Sequence, residues 1–108
     1  MALTSRHRTL LRQGVIQWGG PAQCTDDIAR VLGYPDSVAF FADQSRLLTL
    51  LNSSDVIGKT DLRCAILATE IVFVSDIIGA GIEWATVSGF SDEETLQILR
   101  EAQREYYS

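Results

Sequence analysis

The longest apolar run of the chain lies between Thr60 and Val87, and the remaining hydrophobic positions fall into shorter segments with helical spacing. No Gly or Pro interrupts residues 60–78, and Thr60 is a good N-cap. The pattern therefore predicts one long buried helix over about 60–87, weakened at Gly79-Ala80-Gly81 because glycine disfavours a helix interior. Residues 71–78 are rich in β-branched and aromatic side chains, so a strand remains the alternative there.

Shorter amphipathic segments flank this run. Four further helices are predicted: about Ser5–Trp18, Pro21–Leu32 ended by Gly33, Ser37–Leu51 capped by Asp36, and a last helix after Gly89. The last helix opens with a capping box, in which Ser91 is the N-cap and Glu94 stands at N3. Its inner face is predicted to hold Leu96, Leu99, Ala102 and Tyr106, with Ile98 and Tyr107 pointing outward.

A helix that is apolar nearly all round must be covered by its neighbours. The predicted fold is therefore all-α, a single domain over residues 1–108 formed by a bundle of about five helices, with the others packed around the 60–87 helix. A membrane span is rejected because Glu70 and Asp76 interrupt the apolar run, and each acid would cost roughly 2.5–3.5 kcal/mol at the bilayer centre. The N-terminus lacks the pattern of a signal peptide, so we expect a cytoplasmic protein with Cys24 and Cys64 reduced.

The net charge of −5 is unevenly distributed. Residues 1–13 carry three arginines and no acid, whereas residues 91–108 carry five acids against two arginines. Nucleic acid is a poor partner for such a chain, since affinity for it comes mainly from neutralising phosphates. A basic protein is a suitable one, because complementary fields speed association and select partners, although moderate acidity also serves solubility alone.

Charges on the apolar run are not random in angle. At about 100° per residue, Asp61, Asp76 and Glu83 share one narrow sector of a helix. For Asp76 and Glu83 two interpretations stay open, a solvent-facing stripe and an acidic strip that meets a partner or a cavity. Tyrosine is enriched as an interface anchor, so an exposed tyrosine beside acids adds to such a surface. The predicted partner-binding residues are Asp76, Glu83, Asp92, Glu93, Glu94, Glu101 and Tyr107.

Signatures of catalysis and metal binding are mostly missing from the sequence. One histidine cannot supply the paired motifs of a di-iron bundle, and two isolated cysteines do not make a zinc site. Neither glycine cluster has the spacing or the lysine of a phosphate loop. We therefore expect no enzyme, no cofactor and no metal, with His7 as a packed or edge residue. The alternative is a small enzyme or ligand binder, which needs His7, a cysteine and either Asp76 or Glu83 in one pocket.

Residues 27–34, Asp-Ile-Ala-Arg-Val-Leu-Gly-Tyr, with Ser37 and Phe40 after them, resemble the helix-turn-helix of arabinose-regulator-type transcription factors. This resemblance implies a DNA-binding regulator that uses segment 26–46. In that family the recognition helix continues with basic and aromatic residues, whereas here Asp43 would face phosphates and only Arg46 could help. The regulator therefore remains the alternative function.

The chain as a whole is similar in kind to the small acidic helical immunity proteins of bacterial toxin–immunity pairs, a group without signature residues. This resemblance implies a cytoplasmic inhibitor, monomeric or homodimeric, that binds a basic toxin and neutralises it. If the toxin is a nuclease, the carboxylates would occupy positions that substrate phosphates normally take. The predicted function is thus non-catalytic protein binding through an acidic surface.

Overall fold

The structure, a computed structural model, describes residues 3–19 and 22–108. Six α-helices follow one another within these residues: α1 (Ser5–Ile16), α2 (Asp26–Val31), α3 (Ser37–Leu51), α4 (Lys59–Val74), α5 (Trp84–Ser88) and α6 (Asp92–Tyr106). Short 3₁₀ turns cover Gln17–Gly19 and Gly81–Glu83. These residues contain no β-strand, so the all-α prediction is confirmed, with six helices in place of about five.

Side-chain caps set most of the helix starts. The capping box of α6 is confirmed, and Asp36 caps α3 by accepting a hydrogen bond from the Ala39 amide at 2.8 Å. The second helix is shorter than predicted, because Thr25 caps it and it begins at Asp26. Its predicted start, Pro21, lies outside the described residues.

The prediction of one helix over 60–87 is wrong, because α4 ends at Val74. Ser75 leaves helical geometry at φ −86° and ψ 118°, and the chain then folds back across the helix end, where the Ala80 amide donates to the Val72 carbonyl at 2.8 Å. A Cβ on Gly79 would lie 2.5 Å from the Cα of Val72, so only glycine fits this reversal. Residues 71–74 are helical, whereas residues 75–80 form a loop.

The helix with contacts to the most other helices is α1, whereas the second half of the 60–87 run is not a central helix. It packs against α3, α4, α5 and α6, and Leu10, Leu11 and Val15 on its inner face are fully buried. The closest approach is to α4 at Gly14, where a Cβ would lie 2.6 Å from the Cα of Thr69. Two helices can pack this closely only where one of them lacks a side chain.

The buried face of α6 differs from the predicted one. Ile98 is fully buried, whereas Leu96 is 48% exposed. The buried residues of the helix are Thr95, Ile98, Leu99 and Ala102. The Thr95 hydroxyl accepts a hydrogen bond from Trp84 Nε1 at 2.7 Å, and this contact turns Thr95 rather than Leu96 toward the core. Tyr107 is 83% exposed, as predicted.

Several helix C-termini are satisfied by side chains from other helices. Arg8 of α1 donates to the carbonyls of Leu50 and Ser53 at the end of α3, at 3.1 and 2.8 Å. Gln44 of α3 in turn donates to the Val15 carbonyl of α1 at 2.9 Å. Since the last carbonyls of a helix lack partners within it, these contacts fix the helices relative to one another. In the described part of the chain, no helix combines the length and apolar character needed to cross a membrane.

Candidate protein-binding surface

Three of the seven predicted partner-binding residues are held by contacts within the fold. Asp76 Oδ1 accepts a hydrogen bond from the Ile82 amide at 2.9 Å. Glu94 accepts from the Ser91 amide at 3.2 Å and pairs with Arg6 at 2.7 Å. Glu101 Oε1 lies 2.7 Å from His7 Nε2. These carboxylates therefore have structural partners already.

The contacts of Glu94 and Glu101 stabilise their charged forms. The pKa of Glu94 is lowered, first by the hydrogen bond from the Ser91 amide and then by Arg6. The pKa of Glu101 is lowered chiefly by the hydrogen bond from His7. His7 is buried, as predicted, and its Nδ1 accepts from the Thr4 amide at 3.0 Å in the capping box of α1, so Nε2 carries the proton toward Glu101.

Three other residues of the set are free. Glu83, Asp92 and Glu93 are exposed, and their carboxylates make no hydrogen bond or ion pair within residues 3–19 and 22–108. The bond from Trp84 to Thr95 holds the residue after Glu83 beside the first turn of α6, where Asp92 and Glu93 lie. We call Glu83, Asp92 and Glu93 the acidic end.

The acidic end lies in a long stretch of chain without positive charge. Residues 64–99 contain six carboxylates and no Lys, Arg or His. The side chain of Arg6 approaches from α1, but it is paired with Glu94. No cation of residues 64–99 therefore offsets the negative charge of the acidic end.

Tyr107 does not belong to this surface. It lies past the last residue of α6, roughly 20 Å along the helix axis from Asp92 at about 1.5 Å per residue. Its ring meets that of Tyr106 edge-on, with centroids 5.1 Å apart. Tyr107 is thus separated from Asp92 and Glu93 by the length of α6.

Three apolar side chains that the sequence pattern placed inside a buried helix are exposed, and one of them, Ile82, directly precedes Glu83. Val74, Ile77 and Ile82 are 74%, 96% and 86% exposed. Val74 is the last residue of α4, Ile77 lies in the reversal that follows it, and Ile82 lies in the next 3₁₀ turn. We call residues 74–82 together the 74–82 loop. The signal for this loop was the pair Ser75-Asp76, whose side chains readily bind nearby amides, followed closely by two glycines.

Asp76 braces the 74–82 loop across its width, since it accepts a hydrogen bond from an amide six residues further on. Replacing Asp76 with alanine should leave the Ile82 amide without this partner and destabilise the loop by about 1 kcal/mol. Native-state hydrogen exchange should show faster exchange at Ile82 while the core of α1 stays protected. Glu83→Ala, which removes a free carboxylate next to it, is the control and should leave the Ile82 amide unchanged. Equal exchange in Asp76→Ala and the parent protein would contradict this role.

The segment that resembles a helix-turn-helix does form two helices joined by a turn, α2 and α3. Asp43 does not project outward, because it accepts a hydrogen bond from Tyr34 at 2.6 Å and pairs with Arg46 at 2.7 Å. The hydrogen bond from Arg46 lowers the pKa of Asp43. Arg46 also pairs with Asp61, and Arg30 pairs with Asp27, so both basic residues of segment 26–46 are engaged by carboxylates.

The residues that a small enzyme would need are not gathered in one place. His7 borders a depression of about 420 Å³ whose lining residues include neither cysteine, nor Asp76, nor Glu83. Cys64 is buried near Tyr34, and burial raises the pKa of its thiol to about 11, which opposes thiolate formation. Among the described residues, no group of three or more His, Cys, Asp or Glu is arranged to hold a metal ion.

Comparisons of the chain with protein-family models, with curated proteins and with solved structures gave no significant match. The functional argument therefore depends on the geometry of the chain itself.

Proposed function

We propose that this chain is a non-catalytic protein-binding domain whose acidic end recognises a basic partner protein. The observation that carries the proposal is the state of Glu83, Asp92 and Glu93, which are exposed and unpaired within a segment that contains no cation. A carboxylate that is already paired with an arginine of its own chain binds a cation of a partner less strongly, because that pair would have to be broken or shared. Free carboxylates can accept charge-assisted hydrogen bonds from lysine or arginine, which are the stronger class of hydrogen bond.

More specifically, we propose an inhibitor of the immunity type, which binds a basic toxin such as a nuclease. A basic nuclease cleft is built to receive a row of phosphates, and unpaired carboxylates can meet the same cations without reacting. Asp92 and Glu93 lie in the first turn of α6, at the end of the helix where the dipole favours negative charge. Support comes from this charge arrangement and from the small helical form of the chain.

A DNA-binding regulator remains the second candidate because α2 and α3 do form a corner. Its weakness is electrostatic. The residues exposed on α3 include Val38, Phe41 and Ala42, and the arginine of that helix is shared between Asp43 and Asp61. A phosphate would therefore have to compete with two carboxylates for Arg46. Electrophoretic mobility shift with genomic DNA fragments distinguishes the two candidates.

Neutralising the acidic end should weaken capture of the partner. We expect the triple variant Glu83→Gln, Asp92→Asn, Glu93→Gln to bind the basic protein retained by the parent chain about tenfold or more weakly at low salt. Since exposed charges are screened within roughly 10 Å at 0.1 M salt, the difference should shrink as salt rises. The measurement is affinity capture from native lysate, identification by mass spectrometry, and calorimetry with the purified partner.

A second triple variant, Asp27→Asn, Asp55→Asn, Glu70→Gln, changes the net charge equally at residues that do not belong to the acidic end. It should bind like the parent chain. The proposal would be wrong if both variants weakened binding to the same degree, because net charge alone would then explain the interaction. It would also be wrong if the parent chain retained no basic protein at all. Inhibition is tested by assaying the captured protein with and without this chain.

A further inference from the structure

Three apolar side chains at the 74–82 loop are exposed to solvent, although apolar surface does not help to keep a protein soluble. Ile77 and Ile82 are 96% and 86% exposed, and Val74 is 74% exposed. Scattered single apolar residues are common on protein surfaces, but here three of them fall within nine residues of chain. Apolar groups grouped at one exposed loop are typical of an interaction surface.

The loop that carries these side chains is braced by its own contacts. The Ser75 hydroxyl accepts hydrogen bonds from the amides of Ile77 and Ile78, at 3.3 and 3.0 Å, and Asp76 accepts from the Ile82 amide. The loop is also tied to the segment before α2, because the Gln23 amide donates to the Ile78 carbonyl at 3.1 Å. A braced loop loses little conformational entropy on binding, so its side chains are ready to act as anchors.

Close backbone contacts reinforce the same geometry. A Cβ on Gly79 would lie 2.5 Å from the Val72 Cα, and one on Gly81 would lie 2.3 Å from the Asp76 Cα. Gly81 also has φ +43°, in the left-handed region. Both glycines therefore permit a reversal tight enough to project Ile77 and Ile82 into solvent.

The negative charge around the loop indicates which kind of partner can bind there. Asp76 lies within it, Glu83 follows it directly, and residues 64–99 supply no cation. A second copy of this chain that docked through the same loop would bring a second set of carboxylates against the first, and that repulsion opposes a symmetric dimer. A partner with an apolar pocket bordered by Lys or Arg can bury the apolar side chains of the loop and also pair with the nearby carboxylates.

We infer that Val74, Ile77 and Ile82 form an apolar anchor that enters an apolar pocket on a basic partner protein. This inference rests on the proposed function and identifies which residues hold the complex together. The anchor becomes the desolvated centre of the interface, and Glu83, Asp92 and Glu93 become its charged rim. Central apolar residues control dissociation, whereas rim charges control association and its salt dependence.

The experiment measures binding kinetics with the basic protein that the immobilised parent chain retains from lysate, after that protein has been purified. The anchor variant is Val74→Thr, Ile77→Thr, Ile82→Thr, which keeps β-branched side chains at exposed positions and so preserves the fold. Its control is Val31→Thr, Val38→Thr, Val56→Thr, at three exposed valines elsewhere. Surface plasmon resonance is recorded at low and high salt, and circular dichroism checks that each variant is folded.

The anchor variant should dissociate at least about 30-fold faster at both salt concentrations, with its association rate nearly unchanged. The control should match the parent chain, and the acidic-end variant should associate more slowly at low salt only. If the anchor variant dissociates like the parent chain while the acidic-end variant is impaired, the anchor is wrong and the proposed function stands. If no basic protein is retained, or neither variant is impaired, the proposed function fails and the anchor with it. A parent dimer in sedimentation velocity that the anchor variant abolishes would also overturn the inference, because the loop would then serve self-association.

Discussion

Replacing Gly14 with alanine should destabilise the protein by about 3 kcal/mol or more, a large part of the 5–15 kcal/mol typical of a small domain. The new Cβ would lie 1.9 Å from the Thr69 hydroxyl oxygen and 2.6 Å from the Thr69 Cα. Because the Cα cannot rotate away, α1 and α4 would have to separate where they pack most closely. Alanine favours a helix over glycine by only about 1 kcal/mol, so the steric clash outweighs this gain and the net change in stability is a loss. Urea unfolding followed by circular dichroism measures the change.

Gly19→Ala is the matched control, since the nearest atom to a Cβ there is Gln44 Oε1 at 4.0 Å. Its effect should stay within about 0.5 kcal/mol. The double variant Gly14→Ala, Thr69→Ala tests the cause of the destabilisation. It should remain strongly destabilised, because the contact with the Thr69 Cα persists after the hydroxyl and methyl groups are removed. Full recovery in the double variant would mean that the side chain alone determines the helix spacing.

Trp84→Ala should cost about 3–5 kcal/mol, as is usual for truncating a buried Trp. The side chain is fully buried, and its Nε1 donates to the Thr95 hydroxyl, which donates in turn to the Ser91 carbonyl at 2.7 Å. The Phe73 ring meets Trp84 edge-on, with centroids 6.0 Å apart. The substitution therefore removes the group that joins α4, α5 and α6, and the loss should appear as a lower urea midpoint.

A double-variant cycle separates the hydrogen bond from the packing. Trp84→Phe removes the indole donor, and Thr95→Val removes the hydroxyl while keeping the shape of the side chain. Since a buried polar group left without its partner costs more than removing both partners, we expect a coupling of about 1 kcal/mol between the two changes. Strict additivity would show that the 2.7 Å contact contributes no net stability.

Elements with complete local signals were predictable from the sequence. The bounds of α3 agree with the prediction at both ends, and α6 begins where its capping box placed it. Gly33 ends the α2 segment with φ +103°, in the left-handed region expected of a helix-terminating glycine. In each case a few neighbouring residues supply the hydrogen bonds, so no distant contact was needed.

The candidate surface was predictable only in part. Glu83, Asp92 and Glu93 are exposed, but the predicted set also included Asp76, Glu94 and Glu101, whose partners lie within the fold. The bonds from Arg6 to Glu94 and from His7 to Glu101 join residues more than 80 positions apart. Periodicity along one helix cannot reveal a partner that another helix provides.

Local sequence patterns were enough to predict the helical class, the caps of α3 and α6, and the excess of acid over base after residue 63. The packing of the helices was needed to establish that α4 stops at Val74, that α1 contacts four other helices, and that Ile77 and Ile82 face solvent. An apolar run in a sequence is compatible with complete burial, and only the packing of neighbouring elements shows which of its side chains are covered. Here Gly79 fits against Val72, so the chain reverses, and side chains that the pattern assigned to the core form the most exposed apolar surface of the loop.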